Sequence, residues 1–297
     1  MRRSGWCAVL CVVVLAFVPR MTLAQSLQEV AAGATKNREA VKDFRSAIVW
    51  RLYRYDKMAG SKPVEESTTK ILWAFDGAKY RQDRTWEKLA RWSAGKEQKE
   101  RLLKSFDDVT AYDGNTTRMW DAKGKVGMYR DGSLMKEARA PRATHVMLSE
   151  TLGVGSTPEF CKDDGAKVTG TSGSGEDAVV VIEAPFSSRD RMERNLVKVK
   201  VEVLPQKGYV VGTIEFYDKD DRLASLYKAE QFKQYAGGLW LPHRATREYY
   251  AYDEEGGKFM NYKSEATLES FEPDAQIAES QFSDIFPEGA KVVEAKL

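Results

Sequence analysis

The sequence predicts a mainly β protein built on one large curved antiparallel sheet, an incomplete barrel, that a few helices cover. The first observation behind this prediction is alternation in twos. In the stretch "FRSAIVWRLYRYD", Ile48 and Trp50 fall on one face of a strand, while Arg45 and Arg51 fall on the other. A strand of this kind buries one face and leaves the other to solvent, which is typical of antiparallel sheets.

The second observation is the regular spacing of turns between such runs. Turns at residues 76–77, 113–114 and 123–124 each contain Gly and join two alternating runs, and Asp-Gly in this setting is a strong hairpin signal. The clearest strand is "NLVKVKVEVLP", whose four valines from Val197 to Val203 are predicted on one face. Roughly ten strands joined by short turns predict an antiparallel meander.

Two segments have helical rather than strand spacing. Residues 26–40 place their apolar side chains three and four positions apart, which predicts a short amphipathic helix docked on the sheet. Residues 141–155 begin with Pro141 and gather apolar side chains until Gly153. This pattern predicts a second short helix between two halves of the sheet.

The first residues are typical of an export signal. Arg2 and Arg3 precede an apolar run over residues 8–18, and Thr22-Leu23-Ala24 resembles a cleavage site. The apolar run is too short to span a bilayer. We therefore expect residues 1–24 to be removed, residues 25–297 to form a single domain, and the protein to be periplasmic or otherwise extracytoplasmic.

Charge argues against a nucleic-acid partner. The whole chain has 46 Lys and Arg against 44 Asp and Glu, and the expected signal peptide contains three of the arginines and no acid. The expected mature chain is therefore close to neutral. Such a chain lacks the basic footprint of proteins that bind nucleic acid or anionic membrane surfaces.

Cysteine use argues for a fold held by its core. Cys7 and Cys11 lie in the expected signal peptide, so Cys161 alone remains in the mature chain. An exported chain with one cysteine forms no internal disulfide. Cys161 is expected to be a packed thiol.

The sequence contains no catalytic constellation. His145 and His243 are its two histidines, and neither has a Cys or a carboxylate at the spacing of a metal site. Both are expected at the surface or in turns. Because no nucleophile elbow and no phosphate-binding loop occurs either, the sequence predicts no enzyme, no cofactor and no metal.

Three stretches, "AFDGAKYRQD", "AYDGNTTRMWD" and "GLWLPHRAT", resemble in content and order the LolA-like family of outer-membrane lipoprotein carriers, which includes LolA, LolB and the N-terminal domain of RseB. The resemblance implies a half-barrel whose apolar cavity receives acyl chains beneath a helical lid. Arg81 matches the family arginine that ties lid to barrel. The family's proline before this motif is replaced here by residues 76–78, and this chain is longer than a typical carrier.

The resemblance and the alternation together predict a ligand site. The expected partner is a lipid or a lipoprotein acyl chain, and other envelope proteins are expected to bind as well. The expected lid residues are Met147, Leu148, Leu152 and Arg81. The expected lining residues are Ile48, Trp50, Ile71, Trp73, Phe75, Trp120, Val199, Val201, Ile214 and Phe216.

Two other functions stay open from sequence. The first is an envelope scaffold in which the same apolar residues form a solid core and the edges or outer surface bind a protein. The second, more distant, is an exported hydrolase. A bound lipid-sized molecule favours the carrier, whereas a fully packed interior favours the scaffold.

Overall fold

The computed structural model describes residues 26–40, 43–56, 63–77, 79–93, 96–98, 107–132, 160–162, 164–175, 178–186 and 195–295, with backbone alone for residues 88–98. The expected signal peptide and the expected helix over residues 141–155 lie outside these ranges, so both stay predictions.

The described chain is built mostly of strands. Its elements are α1 (Leu27–Glu39), β1 (Phe44–Tyr55), β2 (Pro63–Asp76), β3 (Lys79–Ser93), β4 (Lys96–Gln98), β5 (Asp107–Tyr112), β6 (Thr116–Asp121), β7 (Val126–Asp131), β8 (Lys167–Ser172), β9 (Val179–Pro185), β10 (Leu196–Leu204), β11 (Val210–Asp218), β12 (Leu223–Gln234), β13 (Trp240–Tyr252), β14 (Lys258–Pro273), α2 (Ser280–Ser283) and β15 (Lys291–Glu294).

The strands form one sheet in the order β15-β7-β6-β5-β3-β2-β1-β14-β13-β12-β11-β10-β9-β8, with β4 paired to β3 beside this path. Among the described strands, β15 and β8 are the two edges, so the sheet is open. Twisted sheets of more than about ten strands curl. The large open sheet predicted from the sequence is confirmed.

The predicted hairpins form at glycine and aspartate turns. Gly77 links β2 to β3 with φ of +60°, a left-handed conformation that favours glycine. At the next hairpin, Asp113 Oδ1 accepts the backbone N–H groups of Asn115 and Thr116 at 2.9 and 2.8 Å. The aspartate side chain thus closes the turn that joins β5 to β6.

The helix predicted over residues 26–40 is confirmed as α1. Ser26 and Glu29 form a capping box in which each side chain accepts from the other residue's backbone N–H. Val30, Ala34 and Asn37 are its buried residues. They share the face that docks on the sheet, as the apolar spacing predicts.

Two strand predictions need correction. The register shifts between Leu196 and Lys198, so Leu196 is buried while Val197 is 47% exposed. A bulge of one residue reverses the face of every side chain before it, so Val197 lies opposite the later valines. In addition, β15 pairs with β7 in parallel, so the sheet is not antiparallel throughout.

Candidate functional site

One face of the sheet carries a continuous inner surface. Residues paired directly across neighbouring strands share a face, and the pairings link one row across eight strands from β9 to β2. In order, the row is Ile182, Val201, Ile214, Tyr227, Arg247, Ser264, Leu52 and Ser67. We call the face that carries this row the inner face, and its opposite the outer face.

Nine of the ten predicted lining residues lie on the inner face. Eight of them are at most 8% exposed and belong to one core cluster, and Trp50 is half-buried against it. These eight are Ile48, Ile71, Trp73, Phe75, Val199, Val201, Ile214 and Phe216. Their side chains therefore contact protein atoms rather than solvent.

Trp120 is the exception, and its predicted position was wrong. It pairs with Val109, which pairs with Asp83, and this row continues to Leu72 and Ala47 on the outer face. Trp120 packs there against an outer cluster of Val109, Ala111, Ile285 and Phe286. The hairpin that joins β5 to β6 sets this register, and the alternation within β6 cannot reveal it.

The structure describes one of the four predicted lid residues, Arg81. Met147, Leu148 and Leu152 lie outside the described residues. Arg81 lies on the outer face, where its Nε is 2.7 Å from Asp83 Oδ1 and its Nη1 donates to the carbonyl of Gln281 at 3.2 Å. Arg81 thus holds the C-terminal segment, and the lid contact that the resemblance implies for it stays a prediction.

Arg247 is a polar feature of the inner face that the sequence analysis missed. Its side chain is 2% exposed. The guanidinium lies over the rings of Phe216 and Tyr249, 5.2 and 4.4 Å from their centroids, and its Nε donates to Ser225 Oγ at 3.1 Å. Stacking on two rings lets a buried cation fit within apolar surroundings.

His243 forms a second polar feature on β13. Its Nε2 lies 2.6 Å from the hydroxyl of Tyr235, and the two rings are stacked. Burial and then the Lys233 charge lower the pKa of His243, while a backbone hydrogen bond at Leu268 raises it. Burial raises the pKa of Tyr235. His243 therefore lies half-buried within a strand rather than in a turn.

The phase of β13 could have identified both residues. Leu239 and Leu241 are fully buried, and a step of two from Leu241 leads to His243 and then, through Ala245, to Arg247. The alternation thus indicates an inner-face position for both residues, although not their contacts.

Two buried polar atoms on β1 lack a hydrogen-bond partner within the described structure. They are the indole Nε1 of Trp50 and the hydroxyl of Ser46. A buried donor without an acceptor costs free energy, about 1–3 kcal/mol. The side chains beside Trp50 on the inner face are short. Across the neighbouring strands, the residues paired in line with Trp50 are Ala266, Ala245 and Ala229.

Helix α1 covers one end of the inner face. Asn37 Oδ1 accepts from the backbone N–H of Trp240 at 2.8 Å, and Asn37 Nδ2 donates to the Trp240 carbonyl at 3.2 Å. Gly33 packs so closely on Tyr209 that an added Cβ would lie 2.1 Å from the Tyr209 ring. These contacts fix the helix where β13 begins.

The outer face has an open groove of about 510 Å³. Ala47, Leu72 and Ala74 contribute to its floor, and its rim includes Arg45 and Gln281. Leu72 is 44% exposed there. This groove, unlike the inner face, is open to solvent.

The described residues offer little for catalysis. Across the described ranges, no group of three or more His, Cys, Asp or Glu side chains is placed to hold a metal ion. Cys161 is a free thiol, and burial raises its pKa to about 11, which leaves it a poor nucleophile at neutral pH.

The helices were also compared with the length and hydropathy of membrane spans. In the described part of the chain, no helix is long and apolar enough to cross a membrane.

The chain matches no protein-family model and no curated protein. Similar solved structures include a domain from Vibrio parahaemolyticus named for outer membrane lipoprotein sorting, at 12% identity and a TM-score of 0.46, covering 87% of this chain and 96% of that one. A LolA superfamily protein from Nitrosomonas europaea is similar at 14% identity and a TM-score of 0.43, over 88% of this chain and 98% of that one.

A third similar structure is a DUF1329 family protein from Desulfovibrio piger, at 13% identity and a TM-score of 0.45, covering 86% of this chain and 97% of that one. LolA-like proteins are thus among the structures that this chain resembles, as the sequence motifs predicted. At these identities and TM-scores the likenesses say nothing of a ligand.

Proposed function

We propose that the chain is an exported carrier or sensor that holds a lipid or a lipoprotein acyl chain against its inner face and performs no chemistry. The observation that supports this is the contiguous apolar surface, which spans eight neighbouring strands of an open sheet. The proposed lining residues are the nine predicted ones that lie on this face.

The energetics of acyl burial support the proposal. Each CH₂ group moved from water to an apolar site contributes about 0.8 kcal/mol, so a long chain needs an extended apolar surface with few polar groups. The core cluster of the inner face supplies such a surface, with polar residues such as Ser225, Arg247 and Ser264 beside it. Because its residues are nearly free of solvent, an entering acyl chain has to displace protein side chains from them.

Trp50 gives the proposed site a polar contact. Its buried indole N–H has no acceptor within the described structure, and an ester or amide carbonyl of an acylated ligand is an acceptor of the right kind. The residues paired in line with Trp50, which are Ala266, Ala245 and Ala229, have short side chains. We therefore propose that the acyl linkage lies beside Trp50.

The near-complete burial of the inner face favours a second candidate function, the envelope scaffold. In that case the eight buried lining residues form a solid core, and binding occurs at the outer face or at the edges. The two functions predict different results for the binding of an acyl probe.

The first test is native mass spectrometry of the protein isolated from its own envelope. The carrier is expected to have a chain mass that begins at Gln25 and a lipid-sized adduct. A bare chain mass after gentle isolation supports the scaffold, and a mass that includes Met1 contradicts export with cleavage.

The second test compares Ala245→Leu on the inner face with Ala74→Leu in the open outer groove, which is the matched control. In a carrier, Ala245→Leu should weaken binding of a fluorescent fatty acid at least tenfold and Ala74→Leu should leave it unchanged, although each variant loses about 1–3 kcal/mol of stability because both alanines are buried. Wild-type protein that binds no acyl probe, or equal binding by the two variants, contradicts the carrier.

A further inference from the structure

The C-terminal residues form a strap across the outer face. We define the strap as residues 274–295, from the end of β14 through α2 to β15. Asp274 begins it with φ of +53° and donates its N–H to the Asp43 carbonyl at 2.7 Å. The strap then passes over the strands that precede β7 and ends alongside β7 itself.

Side chains on the outer face hold the first part of the strap. Arg45 Nη2 donates to the carbonyl of Gln276 at 3.3 Å, and Lys79 forms an ion pair with Glu279. Arg81 holds the carbonyl of Gln281, as described above. These groups bind one acidic side chain and two backbone carbonyls of the strap, and contacts to main-chain groups are typical of a bound extended segment.

Apolar side chains anchor the middle of the strap. Phe282 is fully buried and Ile285 is 7% exposed, and α2 lies against β3 and β5. Ile285 and Phe286 complete the outer cluster with Val109 and Trp120. The strap therefore covers apolar residues of the sheet that would otherwise face solvent.

The end of the strap is its weakest part. All four residues of β15 are exposed, and Val292 and Val293 are 40% and 38% exposed. Parallel strands are usually covered on both faces, and a short exposed strand at a sheet edge belongs to the least stable part of a fold. Departure of β15 would leave the edge of β7 open to another strand.

We propose that the edge of β7 and the sheet residues of the outer cluster, Val109, Ala111 and Trp120, form a strand-binding surface, which the strap occupies within its own chain and which an extended segment of another protein takes over. The resident strap defines the chemistry of that segment. It carries an acid, a buried aromatic residue three positions later, a branched apolar residue after three more, and a short β-branched strand. This proposal does not depend on lipid binding at the inner face.

Gly127 of β7 allows a specific test. An added Cβ at Gly127 would lie 2.8 Å from ring atoms of Phe286 and 3.1 Å from Val292 Cγ2, so Gly127→Val blocks docking of the strap. Gly170 of β8, the opposite edge strand, has nothing within 4 Å of such a Cβ. Gly170→Val is therefore the matched control.

The probe is a labelled synthetic peptide of residues 279–295, titrated into the full chain. Phe282→Ser with Ile285→Ser weakens the resident strap and leaves the surface intact, so this double variant should bind the peptide at least tenfold more tightly than wild type. Adding Gly127→Val should abolish that gain, and adding Gly170→Val should preserve it. A folded double variant that does not bind, or binding that Gly127→Val leaves unchanged, overturns the proposal.

Two measurements on wild-type protein cover the remaining outcomes. Hydrogen exchange should be faster for the amides of β15 than for those of β13, and equal protection overturns the proposal even where the double variant fails to fold. Native mass spectrometry should find a monomer. If the protein is a dimer and Gly127→Val dissociates it, the occupant of the surface is the strap of a second copy of this chain. That result overturns the proposal that the occupant is a segment of a different protein.

Discussion

The inner and outer faces of the sheet are held by different chemistry. On the inner face, fully buried aliphatic and aromatic side chains contact one another across eight strands. On the outer face, half-exposed charges form ion pairs, as Lys200 does with Glu215 of the neighbouring strand at 3.2 Å and Lys263 with Glu265 of its own strand at 2.7 Å. Exposed ion pairs contribute about 0–1 kcal/mol each, whereas burying one large apolar side chain contributes about 1.5–3 kcal/mol.

This contrast means that the residues that stabilise the whole sheet lie on the inner face, whereas the segment that can be exchanged lies on the outer face. The inner face fixes the sheet, while the outer face carries a strap that contacts it through a few anchors. Substitutions on the inner face should therefore lower the global free energy of unfolding. Substitutions on the outer face should act locally.

The largest expected effect is that of Phe216→Ala on the inner face. Phe216 is 1% exposed and packs edge-on against Phe186 with ring centroids 4.9 Å apart. The variant should lose about 3–5 kcal/mol of unfolding free energy in urea titrations. Leu72→Ala on the outer face is the control and should cost less than about 1 kcal/mol. Equal losses at the two positions would contradict the contrast.

Arg247→Ala should have the next largest effect, about 2–4 kcal/mol, because it removes a buried side chain stacked on two rings. Arg244→Ala, an exposed arginine three residues earlier on β13, should change the free energy of unfolding by less than about 0.5 kcal/mol. The measurement is chemical unfolding of both variants. Similar losses for the two variants would mean that the inner-face position of Arg247 contributes nothing to the free energy of unfolding.

Phe282→Ala sharpens the contrast, since Phe282 is as buried as Phe216 but belongs to the strap. Loss of this anchor should release the strap rather than unfold the sheet, so the global cost should be about 1–2 kcal/mol. Hydrogen exchange should accelerate in β15 and not in β13. A loss as large as that of Phe216→Ala would indicate that the strap is part of the main core.

The smallest expected effect is the pH dependence contributed by His243. Because its pKa is lowered in the folded state, the unfolded chain binds the proton more readily, so stability present above the unfolded pKa of about 6.5 is lost as pH falls below it. Urea midpoints measured from pH 7.5 to 5.5 should fall more steeply for wild type than for His243→Gln. Parallel pH profiles would show that His243 contributes no linkage.

Much of the fold could be predicted because its signals are local. The alternation in β1, the Gly77 turn and the capping box of α1 each depend on residues only a few positions apart. Nine lining residues were placed on one face by the same rule. Signals of this kind can be found in the sequence without knowing which strands pair with each other.

The errors arise where distant segments set the geometry. Trp120 alternates correctly within β6, but the pairing of β6 with β5 turns it to the outer face. Val197 follows the valine pattern, but a bulge against β11 reverses its face. In both cases one residue of register, which the local sequence does not record, decides the face.

By itself, then, the sequence determined the strands, their turns, the first helix and the apolar composition of one face, because periods of two and of 3.6 are properties of neighbouring residues. Only the tertiary structure decided that Arg247 and His243 join the inner face, that Arg81 holds the strap, and that β15 pairs in parallel with β7. These contacts join residues far apart in the chain, so they depend on strand order and register rather than on local propensity.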